Sequence, residues 1–317
     1  MTGMDLRQLR YFVAVARERN FTRAAELLHI AQPPLSRQIQ LLEEELGVEL
    51  LIRTSRPVRL TEAGRVFYEQ ALQILGRVEQ MRNATRRVGL NQNSVLSIGF
   101  VASTLYGGLP ALVRKLRQHA PEVDIQLLEM MSVQQLPALK EGRIDLGFGR
   151  LRHSDPNVVS TVLREERLAV AIPEGTALAA SSDPLPVEAL AGEKLIVYPR
   201  EPRPSFADQV LGVLLDHDVR AGEVQEVSEI QTALGLVAAE AGLCVVPSSA
   251  RKLRSDVHYR LLAGERTTSP VVLSHRTGDN SPHIELVKQL IQDMYAENPP
   301  WLGLEHNLPI RTSFSKS

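Results

Sequence analysis

The chain has 317 residues, of which 44% are hydrophobic and 23% charged, with a net charge of −1. That length and apolar content suit two or three folded domains and exclude a disordered or fibrous chain. A single cysteine, Cys244, excludes an internal disulfide and suits a reducing cytoplasm. No apolar run reaches membrane-spanning length, and the N-terminus has no apolar export region, so a cytoplasmic location is expected.

Asp5 and Gln8 have capping-box spacing, and Leu6, Leu9, Phe12, Val13 and Ala16 supply the apolar stripe of a first helix. Thr22 is placed to N-cap a second helix whose apolar positions are Ala24, Ala25 and Leu28. The turn His29-Ile30-Ala31-Gln32 follows, with Ile30 available to plug the corner. Pro33 and Pro34 cannot sit in a helix interior but suit a first turn. Leu35, Ile39 and Leu42 then form one apolar face, Ser36, Arg37 and Gln40 lie off it, and Gly47 closes the helix at Leu46. An Arg-bearing hairpin and a fresh helix start at Thr61 complete the anatomy of a winged helix-turn-helix.

In that arrangement Ser36, Arg37 and Gln40 face a DNA major groove. Arginine reads guanine edges or phosphate, glutamine reads adenine, and serine bonds either. A plain helical bundle with Arg37 and Gln40 on a solvated face is the alternative. Charge leans toward DNA: residues 1–90 hold fourteen arginines, no lysine and ten acids, a net +4 against −5 for the remainder.

The stretch AAELLHIAQPPLSRQIQLLEEELGVELLIR, followed by RPVRLTEAG, resembles the DNA-binding half of LysR-type transcriptional regulators, over roughly residues 4–90. The resemblance implies base or backbone contacts to double-stranded DNA from Gln32, Pro33, Pro34, Ser36, Arg37 and the wing residue Arg56. It also implies that the next helix pairs two chains. That helix has independent support. Thr61 is a plausible N-cap, Glu62 is favourable beside a helix N-terminus, and no proline intervenes up to about Val88. Val66, Phe67, Ala71, Ile74, Leu75, Val78 and Met81 make a stripe longer than a small domain needs. A second copy of the chain is the natural cover, giving two recognition helices for two half-sites. Burial on its own chain is the alternative.

Asn91-Gln92-Asn93-Ser94 reads as a polar linker. Beyond it, apolar runs alternate with amphipathic stretches, as in βαβ units around mainly parallel sheets. Leu96–Val101, Ile125–Met130 and Asp145–Gly149 read as strands, with helices at Leu109–His119 and Val133–Glu141. A second set has strands at Leu168–Ile172, Leu195–Tyr198, Val224–Val227 and Leu243–Pro247, and helices at Phe206–Leu215 and Ile230–Glu240. Strand Val271–His275 and helix Ile284–Met294 close the pattern. The expected organisation is a winged helix-turn-helix over 1–61, a linker helix over 62–90 and a two-lobed α/β domain of periplasmic-binding-protein type over 91–295. Lobe I takes about 91–163 and 268–295, and lobe II takes 164–267. Residues 296–317, with Pro299, Pro300, Pro309 and the only tryptophan, Trp301, read as a loose tail.

Ligands of open α/β sheets bind at the carboxyl ends of strands, facing helix N-termini. Four such junctions carry hydroxyls: Ser103-Thr104, Ser132, Ser205 and Ser228. Arg150, ending the run LGFG, joins the same rim, and such a cleft suits a small carboxylate. Ordinary helix capping is the competing explanation for each hydroxyl taken singly. GFVASTLYGGLP, ALKEGRIDLGFGRLRHSDP, YPREPRPSFAD and EIQTALGLVAAEAGLCVVPSSA are similar to the effector domain of the muconate-responsive branch of that family, which governs catechol and benzoate catabolism. The similarity implies that Ser103, Ser132, Arg150, Pro204 and Phe206 contact a dicarboxylate such as cis,cis-muconate, with Glu229 near the cleft. Glu229 beside a dianion is unfavourable on charge grounds unless it orients Arg150 or is protonated there.

Catalysis has little footing. Cys244 lies in an apolar run, the histidines lack metal-ligand spacing, and no HExxH, CxxC or Gly-rich phosphate loop occurs. Glu43-Glu44-Glu45 reads as a solvated helix face. The expected function is therefore a ligand-responsive transcription factor without cofactor or metal, acting by activation, repression or both. Its expected partners are DNA, a small dicarboxylate and further copies of itself as a homodimer or homotetramer, with RNA polymerase as a further candidate. The alternative is a solute-binding or enzymatic α/β protein with an N-terminal interaction domain.

Overall fold

A computed structural model describes residues 3–89, 94–299, 302–303 and 307–308. Two compact units are present: Met1–Gln92 with the short segment Lys140–Arg143, and Asn93–Leu139 with Ile144–Ser317.

The first unit runs α1 (Leu6–Glu18), α2 (Phe21–Leu27), α3 (Gln32–Leu46), β1 (Leu51–Ile52), β2 (Arg59–Leu60) and α4 (Glu62–Gly89). Asp5 and Gln8 form the anticipated capping box, and Gly47 ends α3 in the left-handed conformation at φ 70°. The cap of α2 differs from expectation. Asn20, not Thr22, accepts from the amides of Thr22 and Arg23, because an asparagine one residue before the first turn reaches both. Phe12, Val15, Ala24, Leu35, Ile39 and Leu42 are buried together, so the two alanines do allow close helix crossing. At the start of α4, Thr61 Oγ1 accepts from Gly64 N–H at 2.9 Å. A side chain at Gly64 would collide with the Leu50 carbonyl, so the wing and α4 approach each other only because that position is glycine.

The second unit contains β3 (Ser94–Phe100), α5 (Leu109–His119), β4 (Val123–Glu129), α6 (Ser132–Lys140), β5 (Leu146–Gly149), β6 (Val158–Pro173) and β7 (Leu185–Pro186). It continues with β8 (Lys194–Val197), α7 (Phe206–Asp216), β9 (Glu223–Glu226), α8 (Ile230–Ala238), β10 (Leu243–Pro247), β11 (Val257–Ala263), β12 (Thr268–Arg276), α9 (Pro282–Ala296) and β13 (Asn307–Leu308). The strand order is β4-β3-β5-β12-β6-β10-β8-β9, with β11 and β13 also on β6. Strands β4, β3 and β5 are mutually parallel, as are β9, β8 and β10. The crossing strands β12 and β6 are antiparallel to their neighbours, so the sheet is mixed where a mainly parallel one was expected.

Each half has its own core. Leu96, Ile98, Phe100, Leu112 and Phe148 belong to one, and Leu168–Ile172, Leu195, Leu234 and Val245 to the other. The expected strand Leu168–Ile172 is the end of a continuous strand from Val158, and β11 was not anticipated. The charged run Arg164-Glu165-Glu166-Arg167 precedes the expected strand, and charged residues are rarely buried, yet Arg164 and Glu166 are inside. Of the linker, residues 91–93 lie outside the described residues. The loose-tail reading also falls mostly outside them, at 300–301, 304–306 and 309–317. Among the described part, α9 continues to Ala296, and Asn307–Leu308 pairs with Glu165–Glu166 of β6, which a loose tail would not do.

Candidate functional site

Helix α3 carries most of the first unit's candidate contacts. Pro33 and Pro34 occupy its first turn, and Gln32, Pro33, Pro34, Arg37 and Gln40 are exposed while Leu35, Ile39 and Leu42 are buried beneath. Arg56 is exposed in the turn between β1 and β2, where an arginine can follow a phosphate backbone. Ser36 is half-buried, and its Oγ accepts from Arg53 Nη1 at 3.4 Å. Arg53 also donates to Glu43 Oε2 at 2.5 Å and lies over the Phe21 ring. Glu43 Oε1 accepts from the amides of Leu50 and Leu51 at 2.8 and 3.1 Å. Glu43 is thus a tie between α3 and the wing, not part of a solvated acidic face. Neither Arg53 nor Glu43 stood out in the sequence, where each is one of many like charges.

The apolar stripe of α4 divides in two. Phe67, Ala71, Leu72 and Leu75 join Leu9 and Val13 of α1. Val66, Ile74 and Met81 are 61%, 41% and 62% exposed, which leaves a second apolar face outside this core.

In the second unit, strand ends and helix starts surround a cavity of about 290 Å³. Ser103, Ser132, Arg150, Pro204, Ser205, Phe206 and Glu229 all line it, with Ser228. Residues at five separate places in the chain are therefore brought together. Thr104 is not among them. Its Oγ1 donates to the Val101 carbonyl at 2.8 Å, and its side chain is buried beside Leu109 and Phe148 instead. One residue along a tight turn points the opposite way.

Arg150 forms the buried floor of the cavity rather than its rim, being only 3% exposed. Gly149 makes this possible, because a Cβ there would meet Ser132 Oγ at 3.0 Å. Ser132 Oγ accepts from Arg150 N–H at 2.9 Å, and Ser103 Oγ accepts from Arg150 Nε at 2.6 Å. Each serine keeps its own O–H proton for a ligand. Arg150 Nη2 donates to Glu166 Oε2 at 2.7 Å. Glu166 therefore orients the guanidinium, the role considered for Glu229, which instead is exposed at the start of α8. There its charge is screened by solvent. Ser205 is mainly a cap: its Oγ accepts from Ala207 N–H at 3.2 Å and donates to the Pro199 carbonyl at 3.0 Å. Ser205 N–H in turn donates to Asp208 Oδ2 at 2.6 Å, so the capping box and the Pro199 carbonyl use both of its donors.

Glu166 is the strongest electrostatic feature of this region. Burial alone pushes its carboxyl up. The guanidiniums of Arg150 and Arg164 and the hydrogen bonds from Ser249 and Arg150 outweigh burial and bring it down to about 2. Ser249 N–H donates to Oε1 at 2.8 Å. Sequence reading also missed Tyr106, Gln231 and Tyr198. Gln231 Nε2 donates to Tyr106 Oη at 3.1 Å, joining the two sides of the cavity. Tyr198 had a usable signal, since it ends the expected strand Leu195–Tyr198 at the carboxyl edge where ligands sit.

Burial pushes the Cys244 thiol well above its ordinary range, which leaves it a packing residue. Among the described residues no cluster of His, Cys, Asp or Glu could hold a metal ion, and no helix is long and apolar enough to cross a membrane.

Residues 6–65 match the bacterial regulatory helix-turn-helix protein, lysR family, and residues 91–296 match the LysR substrate binding domain. The probable cat1 operon transcriptional activator of Acinetobacter lwoffii is 73% identical, over 96% of this chain and all of its own length. The BenM effector binding domain with its effector benzoate aligns with 66% of this chain and 97% of its own, at 37% identity and a TM-score of 0.61. Full-length CbnR complexed with its target DNA aligns with 92% of this chain and 99% of its own, at 30% identity and a TM-score of 0.60. With its helix-turn-helix unit and its α/β ligand domain both matched, the chain belongs to the LysR family of bacterial transcriptional regulators and is not an enzyme.

Proposed function

We propose that this regulator is a cytoplasmic, homo-oligomeric activator of aromatic catabolism whose cleft binds a short dicarboxylate of the cis,cis-muconate type. The observation that carries the ligand class is the floor of the cavity. The Arg150 guanidinium meets the Ser103 hydroxyl and the Arg150 backbone amide meets the Ser132 hydroxyl, which leaves both serine protons unused beside the start of α7. Such donors suit carboxylate oxygens, and the apolar side chains Leu105, Leu151, Phe206 and Ile230 suit a flat unsaturated carbon skeleton. BenM, whose domain is known with benzoate as its effector, supports an aromatic-pathway acid. A diacid engages both lobes, whereas a monoacid fills one end. Effector binding then favours one cleft geometry and shifts the spacing of the paired DNA-binding units, which requires different affinities for the two states. The paired units are those of a dimer formed through α4, or of a dimer of such dimers.

A gel shift with DNA flanking the chain's own gene, with and without cis,cis-muconate, tests the regulator as a whole. Calorimetry on the full-length chain tests the site. Combining Ser103→Ala with Ser132→Ala is expected to weaken muconate binding, each lost charge-assisted hydrogen bond being worth about 1.5–3 kcal/mol. DNA affinity without effector is expected to survive. Equal muconate affinity in wild type and the double variant removes both serines from the site.

We assign DNA contact to Gln32, Pro33, Pro34, Ser36, Arg37, Gln40 and Arg56. Arg37→Ala is expected to weaken specific binding by about 1–3 kcal/mol with little change in stability, because Arg37 is exposed. A titration at fixed salt showing unchanged operator affinity takes Arg37 off the recognition surface.

A further inference from the structure

Two buried donors at the cleft lack partners. Among the described residues, neither Arg150 Nη1 nor Tyr198 Oη has a hydrogen-bond acceptor, although both atoms are closed to solvent. Buried polar groups are nearly always bonded, so an unpartnered donor needs explaining, and two lining one cavity need a common explanation. Nη1 is the one guanidinium nitrogen left over, since Nε serves Ser103 and Nη2 serves Glu166. Tyr198 cannot easily turn away. Its ring is 7% exposed, belongs to the second lobe's core and lies 5.4 Å from the Phe206 ring.

We infer that one carboxylate of the effector is received at the deep end of the cleft by Arg150 Nη1 and the Tyr198 hydroxyl, which makes Tyr198 an effector-binding residue. This rests on the carboxylate reading of the cleft given above. Both atoms donate, so the group between them must be an acceptor. An ionised carboxylate fits, while an ammonium or amide nitrogen does not. Burial holds the phenol neutral and so keeps its proton available for donation, and the Arg150 charge is among those it feels. Arg150 follows β5 in one lobe and Tyr198 follows β8 in the other. A carboxylate held by both therefore bridges the lobes.

Tyr198→Phe removes only the hydroxyl and keeps the ring. Calorimetry on the full-length chain, with cis,cis-muconate and with benzoate, reads the effect. The expected result is muconate binding weakened about ten- to a hundred-fold, with effector-free DNA binding unchanged. A second measurement does not depend on the variant's affinity. In protein labelled with ¹³C at tyrosine Cζ, the resonance missing from Tyr198→Phe is expected to move on muconate saturation. Muconate affinity equal in wild type and variant, or an unmoved Tyr198 resonance at saturation, overturns the Tyr198 assignment and leaves the dicarboxylate reading intact. Benzoate binding that depends on Tyr198, without muconate binding, upholds the carboxylate site and overturns the dicarboxylate reading. Binding of neither acid by the wild type overturns both.

Discussion

Replacing Glu166 with alanine is expected to destabilise the effector domain by about 3–5 kcal/mol, the usual consequence of removing one partner from a buried ion pair. Glu166 is 1% exposed, accepts from Arg150 and from the Ser249 amide, and has Arg164 Nη2 3.6 Å away. Without it, the Arg150 guanidinium keeps only Ser103 and has no counter-charge beneath it. Denaturant unfolding of the full-length chain measures the loss, and calorimetry with muconate measures the companion loss of binding. A stability change below about 1 kcal/mol means that the ion pair is not holding this region. The pH dependence gives a second check with a definite sign. A carboxyl lowered to about 2 in the folded state contributes stability that is fully present above the ordinary glutamate range. That contribution drains away as pH falls from about 4.5 toward 2. Glu166→Gln is expected to lack this component, so its acid stability curve is flatter over that window.

Charging the outer face of α4 is expected to separate the chains. Ile74 is 41% exposed and Val78 half-buried, one turn apart on a helix whose opposite face already covers α1. With Ile74→Asp and Val78→Asp together, a symmetric helix pair would bury four unpaired carboxylates, each costing several kcal/mol. Light scattering is expected to fall to the mass of a single chain. Operator affinity should fall with it, because one recognition helix engages one half-site instead of two. The core of the first unit is expected to remain intact, since Leu9, Val13, Ala71 and Leu72 are untouched. An unaltered oligomer would show that α4 is not the principal contact between copies.

Much of this architecture was legible in the chain itself, because its signals are local. The stripe Leu35, Ile39 and Leu42, with Gly47 at its end, defines α3 by helical period and a left-handed stop. The pair Asp5 and Gln8 caps α1 through groups three residues apart. The apolar runs that become β3, β8 and β10 need only their own composition to read as buried strands. For the same reason, Ser103, Ser132, Arg150 and Phe206 could be placed at one edge of a sheet: each ends a strand or starts a helix, and the rule for open α/β sheets does the rest.

What the sequence could not decide was direction and partnership. Ser103 and Thr104 are adjacent hydroxyls, yet one meets Arg150 and the other faces the lobe's interior, because the rotation of a turn is set by what surrounds it. Whether Arg150 stands on a rim or lies under the cavity depends on Gly149 letting α6 come close. The identity of its counter-charge depended on the continuity of β6, which begins at Val158, ten residues before the strand expected at Leu168–Ile172. Glu43 looked like one of three equivalent acids until the wing folded onto it. Periodicity, capping and composition are properties of neighbours along the chain, so the sequence alone determined the elements and the family. Burial, hydrogen-bond partners and charge compensation arise between residues far apart in sequence, so only the tertiary structure decided which side chains form the floor of the cleft.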